Sequence, residues 1–154
     1  MTKVASYLQA LGVNPRMEYF TERKRLQKLG YLLKSFGLDI PFDFSWYIHG
    51  PYSPGLTRLL YETVEGGIVE TEPLSGQENE RVNRLKAFLG KDLTDSDKLE
   101  LLASVHYLRE IARNVGAPAD EILLFLKEKK PYFTEQEVQE CWIKSVELDK
   151  LDQR

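Results

Sequence analysis

Cysteine occurs once in this chain of 154 residues and histidine twice, so several kinds of chemistry lack their usual residues. A single Cys141 forms no intramolecular disulfide, and a reducing cytoplasm is the expected compartment. His49, His106 and Cys141 share no metal-ligand spacing, and neither Cys-x-x-Cys nor His-x-x-x-His is present. No cofactor or metal is therefore expected. No apolar run approaches the ~20 residues of a membrane-spanning helix, and the N-terminal segment lacks the apolar stretch of a secretion signal. Gly66-Gly67 has neither the spacing nor the lysine of a phosphate loop. Two scattered histidines also give a serine or cysteine no evident base. Cys141 reads as a small apolar residue and His106 as a half-buried helix residue.

The composition, 42% hydrophobic and 29% charged, is that of a globular protein. A chain of this length buries roughly 70% of its unfolded surface, enough for one domain over residues 1–154. The net charge is -3, but it is unevenly spread. Between Arg16 and Gly37 lie six basic and two acidic residues, whereas Glu62 to Glu80 holds six glutamates and no basic residue. Such a layout steers a partner with a complementary face.

Helix signals dominate. Thr2 is placed to cap a first helix with Val4, Leu8 and Leu11 on one face. A second helix is expected from Met17 or Thr21 to Phe36, with Leu26, Leu29, Leu33 and Phe36 inward and Lys24 and Lys28 on an outward face. Phe44 to Ile48 reads as a strand, with Phe44, Trp46 and Ile48 on one side. Gly50-Pro51 then turns the chain, and Ser53-Pro54 starts a third helix that ends at Gly66-Gly67. Ile68 to Thr71 is the expected second strand. Helices follow from Glu78 to Leu89, from Asp95 or Ser96 to Val115, from Pro118 to Lys129, and from Thr134, whose Glu137 completes a capping box. The fold class is mainly α with a small two-stranded antiparallel sheet. Residues 1–75 form a winged-helix-like half and residues 76–154 a helical half.

Two surfaces are candidates for function. Tyr47, His49 and Tyr52, near Trp46 and Tyr61, mix aromatic faces with polar tips, a composition enriched at interaction hot spots. With Gly50, Pro51, Ser53 and Arg58 they form the expected partner-binding set. Arg23, Lys24, Arg25 and Lys28 are the alternative, a basic helix able to neutralise phosphates. Against that alternative, the third helix sets Arg58 beside Glu62 and Glu65, and Glu70 and Glu72 would repel DNA. A small hydrolase using the tyrosines, His49 and Arg58 is a third class.

The stretches K-R-L-Q-K-L-G-Y-L-L-K and F-S-W-Y-I-H-G-P-Y-S-P-G-L resemble the hallmark of an uncharacterised prokaryotic family of YwgA type. Leu26, Gln27, Lys28 and Leu29 match its helix motif; Gly50, Pro51, Tyr52, Ser53 and Leu56 match its turn motif. More distantly, the chain is similar to the Panacea domain of SocA-like antitoxins, from which it differs at Tyr52 and Ser53 after Gly-Pro. The resemblance spans residues 23 to about 69. It implies a mostly helical fold with a small sheet and, through the Panacea domain, a protein partner such as a toxin, protease or chaperone. The expectation is thus a non-enzymatic protein-interaction module, antitoxin- or defence-related, with a winged-helix DNA-binding regulator as the alternative and a homodimer as a further form of partnership.

Overall fold

A computed structural model describes residues 3–67 and 71–152. The chain is mainly helical, with one two-stranded antiparallel sheet. Helix α1 (Val4–Ala10) leads to α2 (Phe20–Ser35), strands β1 (Ser45–Tyr47) and β2 (Gly50–Tyr52), and α3 (Pro54–Glu65). Then come α4 (Gly76–Leu89), a 3-10 turn (Gly90–Thr94), α5 (Ser96–Val115), α6 (Ala119–Lys129) and α7 (Glu135–Leu151). Among the described residues, no helix is long and apolar enough to cross a membrane.

Local chemistry accounts for most helix ends. Ser53 Oγ accepts the Leu56 N–H ahead of Pro54, a proline in the first turn, where no N–H is missed. Ser75 with Glu78 and Thr134 with Glu137 form reciprocal capping boxes. The Ser75 cap starts α4 two residues earlier than its apolar period suggests. The expected Thr2 cap lies outside the described residues, as do residues 68–70 of the expected second strand.

Helix α5 is the centre of the molecule, packed against α2, α6, α7 and β2. Its residues 99–106 are all buried, and so are residues 26–33 of α2. A helix enclosed on every side is ordinarily apolar all round. These two are not, because Gln27, Lys28, Glu100 and His106 lie inside the buried runs. Lys24 and Lys28 therefore do not form the outward face expected of them: they are 8% and 1% exposed. Gly30 lets α3 approach α2 closely, since a Cβ there would meet Leu56 Cδ2 at 2.5 Å.

The sheet differs from its expected form. Ser45, Trp46 and Tyr47 pair with Tyr52, Pro51 and Gly50, so the Gly-Pro segment is itself the second strand of the hairpin. Ile48 and His49 make the two-residue turn. Ile48, expected to face inward with Trp46, is 84% exposed at the tip. Trp46 does pack inward, with its ring 6.0 Å from Tyr107 and 5.5 Å from Phe125. On α5, Ile111 points more outward than its spacing implies, at 43% exposure.

Candidate functional site

The two sequence motifs meet in space. Gln27 Nε2 donates to Ser53 O at 2.9 Å, and Gln27 Oε1 accepts the Ser53 N–H at 2.9 Å. The carboxamide thus pairs with backbone as another strand would. Its Nε2 also donates to Thr57 Oγ1 at 2.7 Å, and Thr57 Oγ1 donates to the Tyr52 hydroxyl at 2.8 Å. One residue on, Lys28 Nζ donates to Pro51 O at 2.7 Å. The Leu-Gln-Lys helix therefore reads the backbone of Gly-Pro-Tyr-Ser and fixes where the hairpin sits. Gln27→Ala would leave the buried Ser53 N–H without its acceptor, so we expect a loss of ~2 kcal/mol in urea unfolding. A loss below ~0.5 kcal/mol would show that the hairpin is held by other contacts.

Beneath the hairpin lies a buried charge cluster. Glu100 of α5 is 1% exposed and accepts from Lys130 Nζ at 2.7 Å, from Lys24 Nζ at 3.0 Å and from the Tyr132 hydroxyl. His49 Nδ1 is 3.5 Å from Glu100 Oε1, close enough for attraction but outside hydrogen-bond geometry. Lys130 also donates to Ile48 O at 3.3 Å and lies 5.3 Å from the Trp46 ring centroid. Lys24 has a second partner in the solvent-exposed Asp97, at 2.7 Å.

These contacts set the protonation states. Burial pushes the Glu100 carboxyl upward, but the hydrogen bonds from Lys130, Tyr132 and Lys24 outweigh it and hold the group below its usual range. Burial works against the Lys24 ammonium, yet Asp97 and Glu100 keep its pKa above the ordinary value. Lys28 lacks such compensation. Burial, aided by the charges of Lys130 and Lys24, lowers its pKa to about 7 despite the pull of Glu100.

Above the lysines opens a cleft of about 370 Å³ between α2, the hairpin and α3. Phe20, Tyr47, Tyr52 and Tyr61 form its aromatic walls, while Arg23, Lys24, Lys28 and His49 supply its basic side. The Phe20 and His49 rings meet edge to face at 4.9 Å, and those of Tyr47 and Tyr52 at 5.0 Å.

Members of both candidate sets thus line one cavity: Tyr47, His49, Gly50 and Tyr52 from the partner-binding set, and Arg23, Lys24 and Lys28 from the basic set. The rest are placed elsewhere. Arg58 is exposed on α3 and does not line the cleft. Pro51 and Ser53 are buried and act through their backbone groups. Arg25 donates to Leu93 O at 2.8 Å and to Glu22 at 3.3 Å, and Arg23 donates to Met17 O at 2.8 Å. Each of these four basic side chains thus has at least one contact within the protein, and Lys24 and Lys28 are buried, so the helix does not present a free basic face to a phosphate backbone.

Glu100, Lys130, Tyr132 and Phe20 belong to the site but are not legible from motifs. The one available signal was Glu100 itself, a carboxylate standing between Leu99 and Leu101 in the apolar run of α5. Chemically, the cleft offers cationic donors and aromatic faces. Thr57 Oγ1 donates to the Tyr52 hydroxyl, and His49 Nδ1 faces Glu100 at 3.5 Å.

A second polar cluster surrounds His106, where ligand atoms of His106, Glu110 and Asp149 lie within 4.8 Å of one another. Asp149 already accepts from Arg109 at 2.8 Å and from Arg113 at 3.3 Å, and these guanidiniums oppose a further cation. His106 Nδ1 meets the Tyr31 hydroxyl at 2.6 Å, and burial lowers its pKa. The cluster reads as an ion-pair network joining α5 to α7. Cys141 is buried, and burial pushes its thiol up to about 12, which suits a packing role.

Comparison with protein-family models, with curated proteins and with solved structures finds no match for this chain. The resemblance to the YwgA-type family and the Panacea domain rests on the two motif blocks.

Proposed function

We propose that the protein is a non-enzymatic interaction module that holds an acidic segment of a partner protein in the cleft between α2, the hairpin and α3. The observation that carries this reading is the convergence of both motifs on one cavity with aromatic walls and a basic side. Around it, Tyr19, Phe20, Tyr47 and Ile48 are exposed at 66%, 49%, 47% and 84%. Exposed aromatic and aliphatic side chains beside a concave site are the usual anchors of a protein interface. The motif resemblance supports an antitoxin- or defence-related setting for such a module.

The test is affinity capture from native lysate, with and without nuclease, using the wild type and the Tyr47→Ala and Ile48→Asp variants. Both side chains are exposed, so each variant should unfold within ~0.5 kcal/mol of the wild type. Each should weaken capture of a nuclease-resistant protein at least tenfold, about 1.4 kcal/mol. Unchanged capture by both variants would remove the cleft from the interface. Recovery of nuclease-sensitive material alone, lost as salt rises, would favour a DNA-binding regulator.

A further inference from the structure

The cluster under the cleft is unbalanced in charge. Three lysines, Lys24, Lys28 and Lys130, are at least nine-tenths buried, and Glu100 is the one carboxylate buried with them. Asp97 adds a second negative charge, but its side chain is 75% exposed and pairs with Lys24 alone. Buried ammonium groups without counter-charge are costly, and proteins that retain them generally provide a partner.

Lys28 is where the imbalance concentrates. Its ammonium carries three donors. Pro51 O takes one, at 2.7 Å, and Lys28 forms no ion pair. The side chain is 1% exposed and lines the cleft. His49, which also lines the cleft, turns its buried Nδ1 toward Glu100 Oε1 at 3.5 Å, outside hydrogen-bond geometry. The two remaining Lys28 donors lie beside a concave space, and they call for an acceptor that carries negative charge.

We propose that the deep end of the cleft is a carboxylate-anchoring subsite, in which Lys28, supported by Lys24, receives a carboxylate whose aromatic or apolar body lies against Phe20, Tyr47 and Tyr61. The proposal rests on the cleft being the docking site and adds the chemistry of its anchor. A carboxylate suits the site better than a phosphate. The anchoring donors, Lys28 and Lys24, are point-like ammoniums, the one guanidinium on the cleft wall, Arg23, is already bonded to Met17 O, and Glu100 and Asp97 of α5 repel a second negative charge.

Anchoring also couples to protonation. The charges that act on Lys28 are those of Glu100 on α5, Lys130 after α6 and Lys24 on its own helix; Asp97 pairs with Lys24, and His49 shares the cleft wall. With its pKa lowered to about 7, Lys28 is mostly neutral at mildly alkaline pH in the free protein. A bound carboxylate favours the charged form, so binding there takes up a proton and weakens as the pH rises.

The test titrates the full chain with 3-phenylpropionate, 3-phenylpropanamide and phenyl phosphate by calorimetry, in buffers of different ionisation enthalpy. The acid should bind at least tenfold more tightly than the amide, with proton uptake above neutral pH. Lys28→Met should lose at least tenfold in affinity for the acid while keeping its far-ultraviolet circular dichroism, whatever the lost bond to Pro51 O costs in its urea midpoint. Lys34→Met, outside the cleft, should bind as the wild type does. Equal binding of acid and amide, no binding of the acid, or full affinity in Lys28→Met overturns the subsite. Tighter binding of phenyl phosphate than of the acid overturns its assignment to carboxylates. If the acid fails while partner capture still depends on Tyr47 and Ile48, the subsite is lost and the docking cleft stands.

Discussion

Gly50→Ala is expected to destabilise the protein by ~3 kcal/mol through two separable effects. The residue has a φ of +94°, in the region that a side chain disfavours. A Cβ built there would also lie 2.3 Å from Ser104 Oγ, a collision that must be relieved by moving β2 off α5. Ser104 is fully buried and its Oγ has no hydrogen-bond partner, so Ser104→Ala should cost little by itself. In the double variant the nearest remaining atom is the Cβ at position 104, 3.6 Å away, an ordinary contact. Removing the hydroxyl should therefore recover ~1–2 kcal/mol of the loss and leave the backbone cost. Urea unfolding of the two single variants and the double variant measures this coupling. A Gly50→Ala protein within ~0.5 kcal/mol of the wild type would mean that the hairpin does not rest on α5 as described. Because Pro51 O accepts from Lys28, a displaced β2 should also disturb the cleft.

Glu100→Gln should be of similar size, with a different signature. The substitution keeps the shape of the side chain but removes the one carboxylate that, among the described residues, is buried with three lysines. Breaking a buried pair from one side commonly costs about 3–5 kcal/mol, because the remaining charge is left uncompensated. The pH dependence identifies the cause. The folded Glu100 carboxyl lies below its value in the unfolded chain. Its contribution is thus fully present above the unfolded pKa and is lost as the pH falls through the folded one. The stability gap between wild type and variant should be widest near pH 7 and should shrink as the pH falls through the lowered pKa of the folded carboxyl, where the wild-type group also becomes neutral. A gap that stays constant over this range would assign the effect to packing.

The helices were largely legible because their determinants are local. Ser53-Pro54, Thr134 with Glu137, and Asp95 are capping signals spanning a few residues, and the structure uses each of them. The apolar stripes of α1 and α2 were equally plain: Val4, Leu8, Leu11, Leu26, Leu29, Leu33 and Phe36 are all buried. The aromatic run before Gly50 announced a strand. Gly50-Pro51 reads as a turn, because a Gly-Pro pair signals one, whereas here it is a strand and Pro51 sits opposite Trp46 on a short hairpin.

The site was legible in part. Motif spacing picked out Gln27, Lys28 and Gly50 to Ser53, but a periodicity argument assigns polar residues to solvent, and so it turned Lys24 and Lys28 outward. That assumption fails where a polar side chain finds its partners on distant segments. Gln27 is satisfied by Ser53 and Thr57, Lys24 by Asp97 and Glu100, and Lys28 reaches Pro51 O with one of its donors. Lys130 arrives from beyond α6 to meet Glu100. The sequence by itself thus determined the helices, their caps and the two motifs, since short-range sterics and hydrogen bonding set these. Only the tertiary structure decided that the motifs face each other, that three lysines share one buried glutamate, and that a cleft opens above them. Each of these depends on segments far apart in the chain, and on the balance between desolvating a charge and pairing it.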